Sequence, residues 1–139
     1  MRHTVSSTDE TFQRAFETCM VPARLFDHRA HLRLAYIYLC EGTPEQAQKR
    51  MKQSLLTFLE HLGLGASKYH ETLTRAWVLA VRYFMIQTPA CLSAEVFIEQ
   101  NPVLLDRTIM LTHYSADILF SIKARNRFTT PDLEPIPEC

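Results

Sequence analysis

Glycine is scarce in this chain, three among 139 residues, where ordinary globular usage is about 7%. Collagen-like and low-complexity classes are excluded, and no glycine-rich phosphate loop or G-x-S-x-G elbow is present. An excess of charge is missing too: Lys+Arg is 15 and Asp+Glu is 15. A neutral chain without a basic run lacks the phosphate-neutralising surface that general nucleic-acid binding needs. Arg24, Arg29 and Arg33 lie close together, but no helix presents a basic face, so a helix-turn-helix regulator is the weakest reading. Apolar residues never run to the ~18 needed to span a bilayer; the most apolar window, 76–86, is interrupted by Arg82. The first ten residues lack the apolar core of a secretory signal. The reading is of a soluble, cytoplasmic protein with no membrane partner. The four cysteines (Cys19, Cys40, Cys91, Cys139) form no C-x-x-C pair, and so read as free, mostly buried thiols.

What the chain does have is helical periodicity, nearly throughout. Ser7 and Glu10 are spaced as a capping box ahead of the stripe Phe12, Ala15, Phe16, Cys19, and Pro22 ends that helix or follows just after it. Asp27 caps a second helix running to about Glu41, where Gly42 is expected to supply a left-handed stop. Thr43-Pro44-Glu45-Gln46 combines a cap, a first-turn proline and a capping-box glutamine. The third helix carries Ala47, Met51, Leu55, Phe58, Leu59 and Leu62 on one stripe and breaks at Gly63-Leu64-Gly65. Ser67 is expected to cap a fourth helix through about Gln87, with Leu73, Trp77, Ala80, Val81 and Phe84 inward. Ser93 caps a short helix to Gln100, and Asn101-Pro102 restarts the chain through 103–114 in two short pieces. Ser115 caps a last helix through about Arg127, before an extended tail with Pro131, Pro135 and Pro137. No alternating strand pattern competes. The fold expected is all-α, a single compact bundle of five to seven mostly antiparallel helices, with tails at 1–7 and 129–139.

The chemistry-bearing residues concentrate on two helix faces. His28 and His31 share a side with Ala35 and Tyr38, bordered by Leu32 and Leu39, so both imidazoles point inward. His70 lies one turn before Leu73 and Thr74 and two turns before Trp77. Three imidazoles at the starts of two core helices are spaced to share a divalent transition metal, or to act as an acid–base pair near neutral pH. Glu71, rotated ~100° from His70, is placed to orient a histidine from another helix or to solvate a surface. Thr72 and Thr74 are unusual in a helix interior; each either bonds a ligand or bonds back to its own helix. Ser121 and Arg125 share a face of the last helix with Phe128. An inward Arg125 needs an anionic partner, either a helix-borne carboxylate or the acidic group of a ligand. His113 is a fourth candidate of undefined phase, and His3 and His61 read as exposed.

These residues also carry a resemblance. Phe26-Asp27-His28-Arg29-Ala30-His31-Leu32 follows an F-x-H-x-x-H-[LV] pattern, and Tyr69-His70-Glu71-Thr72-Leu73-Thr74 a Y-H-E-T-[LI]-T pattern. Asn101 to Leu105 matches N-P-x-L-L, and Ser121 to Asp132 matches S-x-x-A-R-x-x-F-x-x-P-D. Together they resemble a small family of bacterial proteins with no assigned activity. The resemblance implies no reaction. It does imply that His28, His31, His70, Glu71, Thr72, Thr74, Asn101, Ser121 and Arg125 are that family's recurrent polar positions, which points to a shared pocket.

The functional expectation is a small-molecule site with His28, His31, His70 and Glu71 as its catalytic or metal-holding group, and Thr74, Ser121 and Arg125 binding a small anionic ligand. The alternative, from another class, is a non-catalytic interaction module, a homodimer or an accessory subunit, whose histidines are internal ties.

Overall fold

The structure, a computed structural model, describes residues 2–137. It is an all-α bundle, with no strand among the described residues. Seven α-helices follow in order: α1 (Ser7–Glu17), α2 (His28–Glu41), α3 (Pro44–His61), α4 (Glu71–Gln87), α5 (Ala94–Gln100), α6 (Ala116–Leu119) and α7 (Ile122–Asn126). Short 3₁₀ segments lie at Ala23–Leu25, Ala66–Lys68, Pro102–Leu105 and Arg107–Thr112. No described helix is long and apolar enough to cross a membrane.

The central element is α2, which packs against α1, α3, α4 and α5. Its middle is apolar on all sides, and Leu34, Ala35, Tyr36, Ile37 and Tyr38 are all fully buried, as a helix enclosed by neighbours requires. An aromatic cluster anchors α1 and α3 to it: Phe16 stacks on Phe26 at 4.3 Å and meets Phe58 at 4.7 Å. Such pairs add to the area they bury. The expected caps of α2, α3 and α5 are in place. Asp27 accepts from Ala30 N–H, Thr43 and Gln46 form the capping box, and Ser93 accepts from Val96 N–H.

Several boundaries differ from the sequence reading, each for a local reason. Ser6 with Asp9, not Ser7 with Glu10, forms the first capping box. Helix α1 stops at Glu17, short of Cys19 in the expected stripe, in a Schellman turn: Cys19 N–H donates to Phe16 O and Met20 N–H to Ala15 O. Cys19 takes the left-handed position at φ 60°. The same turn ends α3, where Gly63 (φ 75°) donates to Glu60 O and Leu64 to Leu59 O. Gly42, by contrast, is extended (φ −171°). It is small for another reason: a Cβ there would lie 2.5 Å from Gln46 Oε1, the atom that caps Thr43 N–H. Ser67 caps nothing, and α4 begins instead behind His70. The last helix is broken in two because the Ser121 side chain accepts from Ala124 N–H and starts α7 afresh. Two of the expected thiols, Cys19 and Cys40, are half-buried and Cys91 is buried; Cys139 lies outside the described residues.

The comparison of the two Schellman turns yields a test. A non-glycine residue in the left-handed region costs roughly 1 kcal/mol or more. Cys19→Gly is therefore expected to stabilise the protein by about 1 kcal/mol, raising the melting temperature by about 3 °C, measured by calorimetry under reducing conditions.

Candidate functional site

The imidazole of His70 is fully committed. As the N-cap of α4 it accepts from Leu73 N–H at Nδ1 (3.1 Å), which fixes the tautomer and leaves Nε2–H to donate to Leu119 O at 2.7 Å. Burial pushes its pKa down, and the Arg125 charge adds to that, against the pull of the Leu119 carbonyl. His28 donates from Nε2 to Leu104 O at 2.8 Å and sits edge-on to Trp77, ring centroids 4.5 Å apart. Its pKa is also lowered, first by burial, with Arg107 acting the same way and the Leu104 carbonyl and Asp27 opposing. His31 is different. Its Nδ1 is buried with no hydrogen-bond partner, its ring lies 6.2 Å from Phe26, and burial together with the nearby His28 lowers its pKa to about 4.

The remaining predicted residues are also bonded within the chain. Glu71 accepts from Tyr69 OH (2.9 Å), Gln48 Nε2 (3.1 Å) and Lys52 Nζ (3.3 Å), joining α3 to the first turn of α4. Thr74 bonds back to His70 O at 2.7 Å. Thr72 donates to Arg127 O and accepts from Thr129 N–H, both at 3.0 Å. Asn101 donates to Phe97 O and to Thr88 Oγ1. Ser121 caps α7, and Arg125 donates to Ser67 O at 3.3 Å rather than to a carboxylate. His113 Nδ1–H donates to Glu134 O. His3, read as exposed, is packed between Tyr36 and Phe97; it accepts from Cys91 N–H and donates to Met85 O, strapping the N-terminal segment to the end of α4. His61 is exposed.

His28 and His31 are therefore neighbours, while His70 is turned to another partner. Among the described residues, no three His, Cys, Asp or Glu side chains are grouped to hold a metal. A pattern runs through these bonds. The chain after α5 is built from short turns, and each short turn ends in carbonyls that no following turn satisfies. His28 reaches the carbonyl closing Pro102–Leu105, His70 the one closing α6, and Thr72 the one just beyond α7.

The main concavity lies elsewhere. A groove of about 720 Å³ opens between the start of α1, the 20–25 connection, the first turns of α2 and the start of α5. At its base is Asp9, 1% exposed. Its carboxylate accepts from Ser6 N–H (3.0 Å), Ala94 N–H (2.9 Å) and Arg33 Nε (3.0 Å). Burial raises the Asp9 pKa, but the two amides and Arg33 outweigh it and hold it below the usual carboxylate value. The Arg33 guanidinium lies over the Phe12 ring at 4.6 Å. Apolar walls come from Phe12, Val21, Ile98 and two conspicuously bare side chains, Met20 (74% exposed) and Leu25 (56%).

Family models, curated proteins and solved structures all return no match.

Function is thus read from geometry alone. Sequence reasoning missed the groove, although two signals were present. The segment Met20-Val21-Pro22 is apolar where an interhelical connection is normally polar. Arg29 and Arg33 are one turn apart on a single face of α2.

Proposed function

We propose that this is a non-catalytic helical protein that binds a small molecule in the α1–α2–α5 groove, with its histidines serving as ties between the long helices and the short-turn C-terminal third. The observation that carries this reading is His70: both ring nitrogens are spent on the main chain, leaving neither a lone pair for a metal nor a proton to exchange with a substrate. The groove supports the other half of the reading. Its size is within the ~300–1,000 Å³ of ordinary ligand sites, and it is apolar with a few fixed polar groups.

One experiment on two proteins tests the reading. Wild type and His70→Ala are exposed to a small-fragment mixture and their backbone amide shifts are mapped. Shifts are expected around Ala30, Arg33 and Ser93 in both proteins. His70→Ala should also melt about 6 °C lower, because losing the cap and the Leu119 bond costs about 2 kcal/mol. Shifts gathered around His28 and His70 in the wild type, and abolished in a variant of unchanged stability, overturn it.

A further inference from the structure

We infer that the groove takes an anionic amphiphile, its acidic head on Arg29 and Arg33 and its apolar body along Phe12, Met20, Leu25 and Ile98. This rests on the groove being the binding site and goes beyond it by fixing the ligand's chemistry.

Arg33 is held before any ligand arrives. It is 30% exposed and bonds Asp9 through Nε alone. Its two terminal amino groups have no partner among the described residues. A guanidinium carries five donors in a rigid plane, so a bond at Nε from below and the Phe12 ring against its face fix the orientation of the unused donors. Asp9 is itself locked by two main-chain amides, so the guanidinium is positioned before any ligand arrives, which spares a ligand the cost of ordering it. Arg29, one helical turn earlier, also lines the groove and has no hydrogen-bond or ion-pair partner among the described residues. Planar guanidinium donors suit carboxylate and phosphate oxygens.

Besides Asp9, two acidic side chains line the same groove and set the limits. Asp27 is occupied through Oδ1 in capping Ala30 N–H. Glu95, in the first turn of α5, has no partner among the described residues. With Asp9 matched by Arg33, these carboxylates leave no surplus of positive charge for a polyanion such as nucleic acid. A single acidic head that reaches the unpaired arginine donors directly, with an apolar body that covers Met20 and Leu25, satisfies those donors and the exposed walls; the pull is local to the two guanidinium groups, because the lining as a whole carries more carboxylate than arginine.

The probe is decanoate, compared with decanol and decylamine, followed by amide shifts and titration of the intact chain. Decanoate is expected to shift the Ala30, Arg33 and Ser93 amides and to bind more tightly than either control. Arg29→Ala touches no bond of the fold and should weaken decanoate about tenfold, the loss of one charge-assisted contact. Glu95→Gln should strengthen it about twofold by removing a repelling charge. Equal or tighter binding of decylamine or decanol, or an unchanged affinity in Arg29→Ala, overturns the inference while the groove stands as a site for another class of ligand. Absence of any decanoate shift at millimolar concentration overturns it as well, and the fragment map then decides the groove separately.

Discussion

Asp9→Ala should be the most damaging single polar substitution in the protein, lowering stability by about 3–4 kcal/mol and the melting temperature by about 10 °C. Three losses coincide at this one side chain. The capping box of α1 disappears, which alone is worth about 1 kcal/mol. The Ala94 amide, which opens α5, loses its acceptor in a buried setting. Arg33 is left as a cation with no carboxylate beside it, at a cost softened by its contact with water. Asp9→Asn separates these terms, because the amide oxygen can still accept from one main-chain N–H while the charge is lost. It should fall between wild type and Asp9→Ala. Urea unfolding at pH 7 measures both variants, and an Asp9→Ala loss below 1 kcal/mol contradicts the buried-network account. The lowered Asp9 pKa has the same origin: its contribution is present above the ordinary carboxylate pKa and is lost as the pH falls through the depressed one.

Acid should weaken the fold well before Asp9 titrates, through His31. Its ordinary pKa is 6.5 and its folded value about 4, with burial as the leading cause and the neighbouring His28 adding to it. The unfolded chain therefore binds a proton that the folded chain refuses throughout the interval between those values. Stability is complete above pH 6.5, declines as the pH falls, and has lost its His31 share, roughly 2–3 kcal/mol, near pH 4. His28 and His70 are shifted in the same direction, so they steepen the decline. His31→Leu removes the titrating group and also the buried, unpartnered Nδ1. At pH 7 it should match wild type within about 1 kcal/mol. At pH 4.5 it should be about 2 kcal/mol more stable than wild type. Denaturant unfolding across pH 4–8 gives both curves, and parallel curves exclude His31 as the source.

Much of the fold was legible because its signals are local. The Asp27, Thr43 and Ser93 caps each depend on a side chain and an amide three residues away, and the sequence contains both. The errors are local too, but chemically less usual. A histidine is a rare cap, so residue type alone points to Ser67 for the start of α4, where the cap is His70. Ser121 sits within an unbroken apolar periodicity, and nothing in that periodicity records that its hydroxyl prefers Ala124 N–H to a continuing helix. The candidate site was harder. Helical spacing gives the direction in which His28 and His70 leave their own helices, but not what waits there. Their partners are Leu104 and Leu119, 76 and 49 residues along the chain, and those partners are carbonyls that every residue possesses. No residue type marks such an acceptor. The groove is similarly composite: Asp9, Met20, Arg33 and Ser93 come together only when α2 lies between α1 and α5.

The ties that bind the short-turn segment to the long helices have a further consequence for the order in which the molecule opens. That segment is made of 3₁₀ turns and two helices of four and five residues; it seats Leu104, Met110, Tyr114 and Leu119 in the core and is fastened as well by imidazole and hydroxyl contacts from α2 and α4, and by Arg125 reaching back to Ser67 O. Helix α2, enclosed on every side, can release its amides only when the whole fold is lost. Residues 102–126, whose α-helices have no more than five residues each, are the part of the fold from which local opening is expected first. In hydrogen exchange, amides of the 102–126 segment are then expected to be less protected than those of the middle of α2.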